Sequence, residues 1–596
     1  MGLNTRVGLN TREVKADLCV VGGGIAGTFA AISAARQGVK VALVNERPVL
    51  GGNASSEIRM WICGAQQNGY RESGLNEELN IKNYYYNPDK NHYLFDLTLL
   101  GLVKAEKNIE LILNATVHAA KTDGDTITSV TAYQMTTQTE ITVTAKYFAD
   151  CSGDSILAPL TGAAFAIGRE SKAETGESMM YYGGAGDDKT MGNSLLIQAR
   201  YVGKPVKFTA PDWAEKVPAA KLKSKGTCIT SPWENFWYLE LGGNDDTIRD
   251  SEKLNARLMA LCLGVWDTIK NSGEFDADEY DLGFFGFLPA KRESRRMIGD
   301  YVMTACDIVS GGKFDDIAAY GGWSLDDHNP DGFDGMESNH AIPLERAYGI
   351  PYRCLYSKNI DNLFFAGRNI SMTHLAMSSA RVMGTCGTLG EAVGAAAAVA
   401  LRHGVTPRAA GEFIGEIRDI LLENDCFLPY TRREISLSTR TATLDCARVE
   451  NLEAIRNGFD RNLPGEDNAA RVRNGSPVTY DFGGEERYIE RVKLTFDSDF
   501  DRETLGDIPY PEKIHSMRCN VTPDSPTLFV PKTLAKSFSV VGEKLSGEKV
   551  ALYETDLNLS RNILVPVRAA YRKITLMINS NHGDTAVTPV FAFDVR

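Results

Sequence analysis

Residues 366–400 read AGRNISMTHLAMSSARVMGTCGTLGEAVGAAAAVA and set Arg368, His374, Arg381 and Cys386 directly before a run of glycine and alanine. A second basic cluster, Arg292, Arg295 and Arg296, stands in KRESRRMIGDY at 291–301, and another histidine, His340, in ESNHAIPLERAYGIPYR. A positioned histidine can take a proton near neutral pH. Arginines fork onto carboxylates and phosphates through paired hydrogen bonds. These types together suit proton removal from a polar substrate whose anionic part is clamped, with His374, Arg381, Arg295 and His340 as the candidate catalytic residues. The same residues also have a plainer reading. His374 can cap its own loop, and the arginines can pair internally with Glu293 and Asp300.

Such groups need a frame to hold them. A helix as small-sided as the one after Gly387 packs against a flat surface or another backbone, and its glycine-rich entry can offer an N-terminus to an anion. The frame begins at ADLCVVGGGIAGTFAAISAARQGVKVALVNER, residues 16–47. A short buried strand (18–21) runs into Gly22-x-Gly24-x-x-Gly27, then an apolar helix, then a second strand (41–45) closed by Glu46. This spacing predicts a dinucleotide site. Gly22 makes the turn, Gly24 lets backbone approach a pyrophosphate with Ile25 and Ala26 opening the helix, and Gly27 lets helix pack on strand. Glu46 can accept hydrogen bonds from both ribose hydroxyls, which makes NADP the least suited dinucleotide. Residues 111–134 alternate as a hairpin around Asp123-Gly124. A further strand ends in Cys151-Ser152-Gly153-Asp154, and another, 363–366, ends at Gly367.

The turn Gly51-Gly52-Asn53 soon after Glu46, the CSGD strand end and the strand returning at Gly367 resemble the glutathione reductase and fumarate reductase type of flavoprotein. The phrases KRESRRMIGDY and AGRNIS…THLAMSSARVMGT resemble the bacterial FAD-dependent oxidoreductase family. The resemblance covers 17 to about 168 and resumes near 350. It implies FAD as cofactor, bound additionally by Arg47, Gly51, Gly52, Asn53, Val117, Cys151, Ser152, Gly153, Gly367, Arg368, Gly384 and Thr385. It places the N-terminus of the glycine-rich helix at the flavin pyrimidine, and the loop of His374 beside the ring. Arg59 and Trp61 would line the other face. Arg368 departs from the acidic residue many relatives carry after "AG", which opens an anion-binding role for it.

The chain has 596 residues, 43% hydrophobic and 24% charged, with net charge −13. That balance fits two or three folded domains and argues against a nucleic-acid partner. No membrane span is expected: the nearest candidate, the alanine-rich stretch, carries Glu391. No signal peptide is visible, so a cytoplasmic location is expected. The eleven cysteines include no CxxC pair, which disfavours metal knuckles and disulfide chemistry. No second GxGxxG follows, which disfavours an NADPH-to-flavin relay.

The predicted fold class is α/β, a Rossmann-like FAD-binding domain with an inserted α+β substrate domain, plus a C-terminal all-β jelly-roll sandwich. The expected borders are 1–168 and 346–406 for FAD, 169–345 for substrate, 407–439 for a helical linker and 440–596 for the sandwich. In the insert, Trp237 and Leu239 alternate against Tyr238 and Glu240 as a strand, and 251–271 reads as an amphipathic helix. In the sandwich, Val478, Tyr480, Phe482, Val492, Leu494, Phe496, Ile574, Leu576 and Ile578 share an inward face. Its order of segments resembles galactose-binding-like modules, some of which bind sugars while others brace a catalytic domain. The expected activity is hydride transfer between a polar small molecule, such as a sugar or hydroxy acid, and FAD. No motif names the electron acceptor that re-oxidises the flavin. The rivals are enoate reduction, and a non-catalytic carbohydrate-binding scaffold.

Overall fold

Leu18–Val21 (β1) buries all four of its apolar residues, as a strand covered on both faces must. The chain turns through glycine into α1 (Ile25–Arg36), returns as β2 (Val41–Val44), and later adds β3 (Ile109–Ile112), β4 (Tyr147–Asp150) and β5 (Leu363–Phe365). All five strands run parallel, in the order β5-β4-β1-β2-β3. The expected βαβ unit is present. This computed structural model describes residues 8–65, 72–182, 184–500, 504–505, 508–509, 517, 519–525 and 527–596.

The hairpin at Asp123-Gly124 joins Ala115–Asp123 to Thr126–Gln134, with Asp123 opposite Thr126. It continues into Thr139–Thr144, which pairs in parallel with Asn10–Lys15. After β5 come two helices: α2 (His374–Ala380), capped by the Thr373 hydroxyl accepting from the Ala376 amide at 3.2 Å, and α3 (Met383–His403). The small face of α3 lies on α1. A Cβ on Gly390 would fall 2.1 Å from the Ala26 carbonyl oxygen, and one on Gly394 would fall 2.5 Å from that of Ala30. Among the described residues α3 is the helix long and apolar enough to cross a membrane, and nearly all of it is buried within this unit. Gly394→Ala is expected to lower stability by about 1–3 kcal/mol, the usual cost of overpacking; a thermal unfolding midpoint equal to wild type would show that the helices part freely.

The middle of the chain supplies short pieces. Glu240–Leu241, Asn193–Ser194 and Ala290–Lys291 form one small sheet, and Leu325–His328 pairs with Asn339–Ile342. The amphipathic helix Ser251–Asn271 buries Leu254, Leu258, Leu261, Val265, Trp266 and Ile269, as its spacing predicts. The strand expected through Trp237–Leu239 is instead a turn. Phe236 adopts φ +56°, its carbonyl accepts from the Leu239 amide at 3.0 Å, and Phe236, Tyr238 and Leu239 are all buried.

The described residues fall into two compact units whose borders differ from those read from the sequence. The first takes in those of Met1–Gln67, His92–Ile417 and His515–Ser525; the second takes in those of Asn68–Asn91, Arg418–Ile514 and Pro526–Arg596. Residues 169–345, expected to cover the substrate, lie within the first unit together with the nucleotide-binding strands. The segment after 515 joins it through Asn520, whose Oδ1 accepts from the Ala199 amide at 2.8 Å and whose Nδ2 donates to the Ile229 carbonyl at 3.1 Å. The expected linker holds helices Pro407–Ala410 and Ile414–Glu423, with the border inside the second.

The second unit contains two five-stranded antiparallel sheets. One runs Thr443–Asp445, Pro477–Asp481, Lys573–Asn581, Ala535–Glu543, Lys549–Thr555; the other runs Val449–Glu450, Ala470–Arg473, Val587–Val595, Arg487–Phe496, Asn562–Tyr571. All nine residues expected on the inward face are buried in the core between them. That core also takes Ile81 from the helix Leu75–Tyr86, so this helix does not belong to the nucleotide-binding segment in which 1–168 placed it.

Candidate active site

The ends of β1, β2, β4 and β5 open into one cavity of about 700 Å3 within the first unit. Gly22 holds φ +105°, and a Cβ there would meet the Cys151 carbonyl oxygen at 2.4 Å; one on Gly27 would meet the Gly22 carbonyl oxygen at 1.8 Å. Backbone packing demands both glycines. Gly24 differs: it lines the cavity and nothing lies within 4 Å of its Cβ position. The Gly51 amide donates to the Gly23 carbonyl at 2.8 Å, which joins the two glycine turns. Asn45, which sequence reasoning missed, accepts from the Gly23 amide at 3.0 Å and donates to the Val49 carbonyl at 2.9 Å. Ile25, Ala26, Glu46, Arg47, Gly51, Gly52, Asn53 and Val117 share the wall. Gly24→Val is expected to fold normally yet raise the FAD dissociation constant about tenfold or more, because its Cβ meets no protein atom within 4 Å and its side chain projects into the cradle; full FAD occupancy in purified variant would contradict this.

The loop after β4 is braced by Asp150. Its buried carboxylate accepts from the Ser152 amide (3.0 Å) and hydroxyl (2.7 Å) and the Leu157 amide (2.8 Å), and burial raises its pKa. Cys151, Ser152, Gly153 and Gly367 are thereby held at the cavity wall. Asp154 receives Lys291 Nζ at 2.6 Å and the Arg368 guanidinium. Burial works to raise the Asp154 carboxyl, but the two cations overcome it and hold it well below its usual range. The charge of Arg368 is therefore met inside the protein. Arg295 also faces the cavity; it donates to the Asp154 carbonyl at 3.1 Å and lies 5.6 Å from the Phe165 ring. Arg296 is buried away from the cavity among Glu293, Glu170 and the carbonyls of Gly168 and Met372, which is the plainer reading of that residue.

At the start of α3, Arg381, Val382, Met383 and Cys386 line the cavity. Gly384 and Thr385, expected there, do not. The Gly384 amide donates to the Cys63 carbonyl at 2.7 Å, and the Thr385 hydroxyl is buried behind the wall without a hydrogen-bond partner. Arg381 donates from Nη2 to the Asp326 carbonyl at 3.0 Å, while its buried Nε has no partner. Burial raises the Cys386 thiol to about 12, so it is neutral.

The histidines need the largest correction. His374 lies outside the cavity, 1% exposed, with Nδ1 2.9 Å from Glu293 and Nε2 3.0 Å from Asp327. Burial pulls its pKa down, but the two carboxylates overcome this and lift it to about 10. An imidazolium donating both protons has no lone pair to act as a base. His340 points the other way from the cavity, since on its strand Asn339 and Ala341 face in. Sequence reasoning missed His328 in SLDDHNP. With Asp326, it faces the cavity from Leu325–His328, its Nδ1 2.5 Å from Glu240 Oε2 and its Nε2 3.5 Å from Asp326 Oδ2. Arg292 stands 3.2 Å from the same Glu240 oxygen. Burial would raise Glu240, but Arg292 and then His328 hold it below the usual carboxylate range. The available signal was the run Asp326-Asp327-His328, three polar residues together ahead of the Asn329-Pro330 turn.

The side chains and backbone present fit a bound dinucleotide: a glycine cradle with room at Gly24, and a buried, unpartnered guanidinium nitrogen at Arg381. Residues 17–421 match the family described as FAD dependent oxidoreductase. No curated protein matches the chain. Among solved structures, the chain is similar to the GH31 module CBM32-2 bound to GalNAc (11% identity, TM-score 0.19, 26% of this chain and 97% of that one). It is also similar to OxyS anhydrotetracycline hydroxylase from Streptomyces rimosus (15%, 0.21, 32% and 39%) and to the flavin-dependent monooxygenase PieE in complex with FAD and substrate (15%, 0.21, 31% and 35%). Because the family match spans more than half of the chain and runs from the first strand of the parallel sheet to beyond α3, the chain belongs to the FAD dependent oxidoreductase family, an oxidoreductase with FAD as its cofactor.

Proposed function

We propose that the protein oxidises a polyhydroxylated small molecule, a sugar or hydroxy acid, with His328 taking the hydroxyl proton. The observation that carries this reading is the His328–Glu240 pair, which opens on the same cavity as the glycine cradle. FAD, when bound, supplies the acceptor for the hydride leaving the substrate carbon. Gly22, Gly24 and the N-terminus of α1 would hold its pyrophosphate, and Glu46 its ribose hydroxyls. Arg381 and the N-terminus of α3 would supply positive potential to the ring system.

The protein groups then have separate tasks. His328 Nδ1–H stays on Glu240, while Nε2, unlike either nitrogen of His374, has its carboxylate (Asp326) only at 3.5 Å, beyond a normal hydrogen bond, and would accept the substrate proton. The imidazolium so formed lies between two carboxylates, Glu240 and Asp326, whose pKa values are held low and which therefore remain charged. Asn235 and Asn339 offer neutral hydrogen-bonding groups along the wall, and Trp61, Trp237 and Trp323 offer flat apolar faces and exclude water. Arg295 is placed to meet an anionic group on the substrate or cofactor.

Mixing oxidised holoenzyme anaerobically with sugars, polyols and hydroxy acids tests the proposal. Loss of the flavin absorbance with one of these classes is the expected result. Bleaching by none of them, with re-oxidation of chemically reduced enzyme by an enoate such as fumarate, would reverse the assigned direction of chemistry. No turnover in either direction would favour a scaffold.

A further inference from the structure

Two neighbouring acids on the strand Leu325–His328 are satisfied differently. Asp327 has a close partner on each oxygen: His374 Nε2 stands 3.0 Å from Oδ1, and the Tyr181 hydroxyl donates to Oδ2 at 2.7 Å. Asp326 lines the main cavity instead. Its Oδ1 accepts from Asn339 Nδ2 on the paired strand. Its Oδ2 has three nitrogen neighbours, all distant: Trp323 Nε1 and Arg381 Nη2 at 3.4 Å, and His328 Nε2 at 3.5 Å. Arg381 Nη2 makes its shorter bond, 3.0 Å, to the Asp326 carbonyl. None of the three comes as close to Oδ2 as an ordinary donor to a carboxylate, at about 2.7–2.9 Å.

The carboxylate is nonetheless charged, and its side chain is only 16% exposed. Burial works to raise its pKa, but His328, Arg381 and Asn339 overcome this and hold it well below the usual carboxylate range. A mostly buried anionic oxygen without a short donor is costly. A ligand in the main cavity that brings a hydroxyl to Oδ2 relieves that cost. The 3.5 Å between Oδ2 and His328 Nε2 then sets a spacing. Two hydroxyls on adjacent ring carbons can address both atoms at once, each donating to one of them. An isolated alcohol fills one position and leaves the other empty. An α-hydroxy acid with its hydroxyl on Nε2 brings its carboxylate up to Asp326, where like charges repel.

We propose that Asp326 selects a vicinal diol by accepting the hydroxyl next to the one oxidised, so that the substrate is a neutral sugar or cyclic polyol rather than a hydroxy acid. This rests on the reading of His328 as the group that takes the reacting proton, but the contact with Asp326 is one of binding and can be measured apart from turnover.

The test uses FAD-loaded full-length protein with the methyl glycosides of glucose, galactose and mannose, their singly deoxygenated analogues, and lactate and malate. In anaerobic flavin reduction, wild type should favour a glycoside over the analogue lacking the neighbouring hydroxyl by about tenfold to 100-fold, the scale of one hydrogen bond to a charged group. Asp326→Asn should keep its FAD and lose most of that preference, chiefly by slowing the parent glycoside. The analogues applied to wild type need no variant, so the test holds even if Asp326→Asn folds poorly. If one analogue is inert and all the others match the parent, or if lactate or malate matches the glycosides, the diol contact is overturned and the hydride-transfer reading stands. If Asp326→Asn slows parent and analogue by the same factor, Asp326 acts on the chemistry and not on selection, which also overturns it. Calorimetry with the same sugars covers the case without turnover. If no probe reduces the flavin, yet binding of a glycoside weakens about tenfold both in Asp326→Asn and on removal of one hydroxyl, the diol contact stands and the hydride-transfer reading falls. Absence of both binding and reduction overturns both.

Discussion

His328→Ala is expected to retain FAD and its fold but slow substrate-driven flavin reduction by about 100-fold or more, the usual scale for removing a positioned base. The fold should survive because the ring sits at a cavity wall, with its lost hydrogen bond to Glu240 partly replaced by the neighbouring Arg292. The glycine cradle and Asn45 are untouched, so cofactor content should match wild type. Stopped-flow absorbance under anaerobic conditions reads the rate directly. Added imidazole should restore part of it, since a free base can occupy the vacated volume. A rate within threefold of wild type would remove His328 from the chemistry and leave Asp326 as the remaining proton acceptor at that wall.

His374→Ala should act on stability instead, by about 3–5 kcal/mol, because it leaves Glu293 and Asp327 buried without the cation between them. Urea unfolding of both proteins checks this. The pH dependence has a definite sign. An unfolded histidine titrates near 6.5, and the folded one is lifted to about 10 by its two carboxylates against the opposing effect of burial. A raised folded pKa stabilises fully below about 6.5 and progressively less as pH rises towards 10. The gap between wild type and variant should therefore be widest at pH 6 and shrink by pH 10. A gap that widened with pH would mean that His374 is neutral in the fold. Asp327 sits beside Asp326 and His328 on one short strand, so loss of this lock should also slow flavin reduction, with the deficit growing on warming as the strand loosens.

Much of the frame was legible because it depends on local pattern. Buried four-residue strands, glycines at Gly22, Gly24 and Gly27, a hairpin turn at Asp123-Gly124 and strict alternation through Val478–Phe482 each follow from backbone geometry or period. The small face of α3 was legible for the same reason: only Gly390 and Gly394 allow that approach to α1. The site chemistry was harder, because a histidine carries no mark of which way it will face. His374 looked free in a loop and is enclosed by carboxylates from 293 and 327. His328 sat in an unremarked four-residue strand and faces the cavity. Partners that far apart in sequence leave no local trace. Lys493 makes the same point in the second unit, where it interrupts an apolar run yet is buried, its Nζ donating to the Glu423 carbonyl at 2.8 Å and Asn562 Oδ1 at 2.6 Å.

The helix Leu75–Tyr86 reaches its core only through strands that follow it by hundreds of residues: Ile81 packs in the cluster of Val492, Phe496 and Val595. On a ribosome adding about 5–20 residues per second, Ile81 waits roughly 20–80 seconds before the first of those strands has emerged. Throughout that interval its apolar side chain lacks the sandwich core it packs in, while the preceding nucleotide-binding strands have already been made. The nascent chain should therefore hold a chaperone-binding segment near residue 81 until late in synthesis. A circular permutant that begins close to residue 418 and ends there would shorten the wait, and should give more soluble protein in cells lacking trigger-type chaperones.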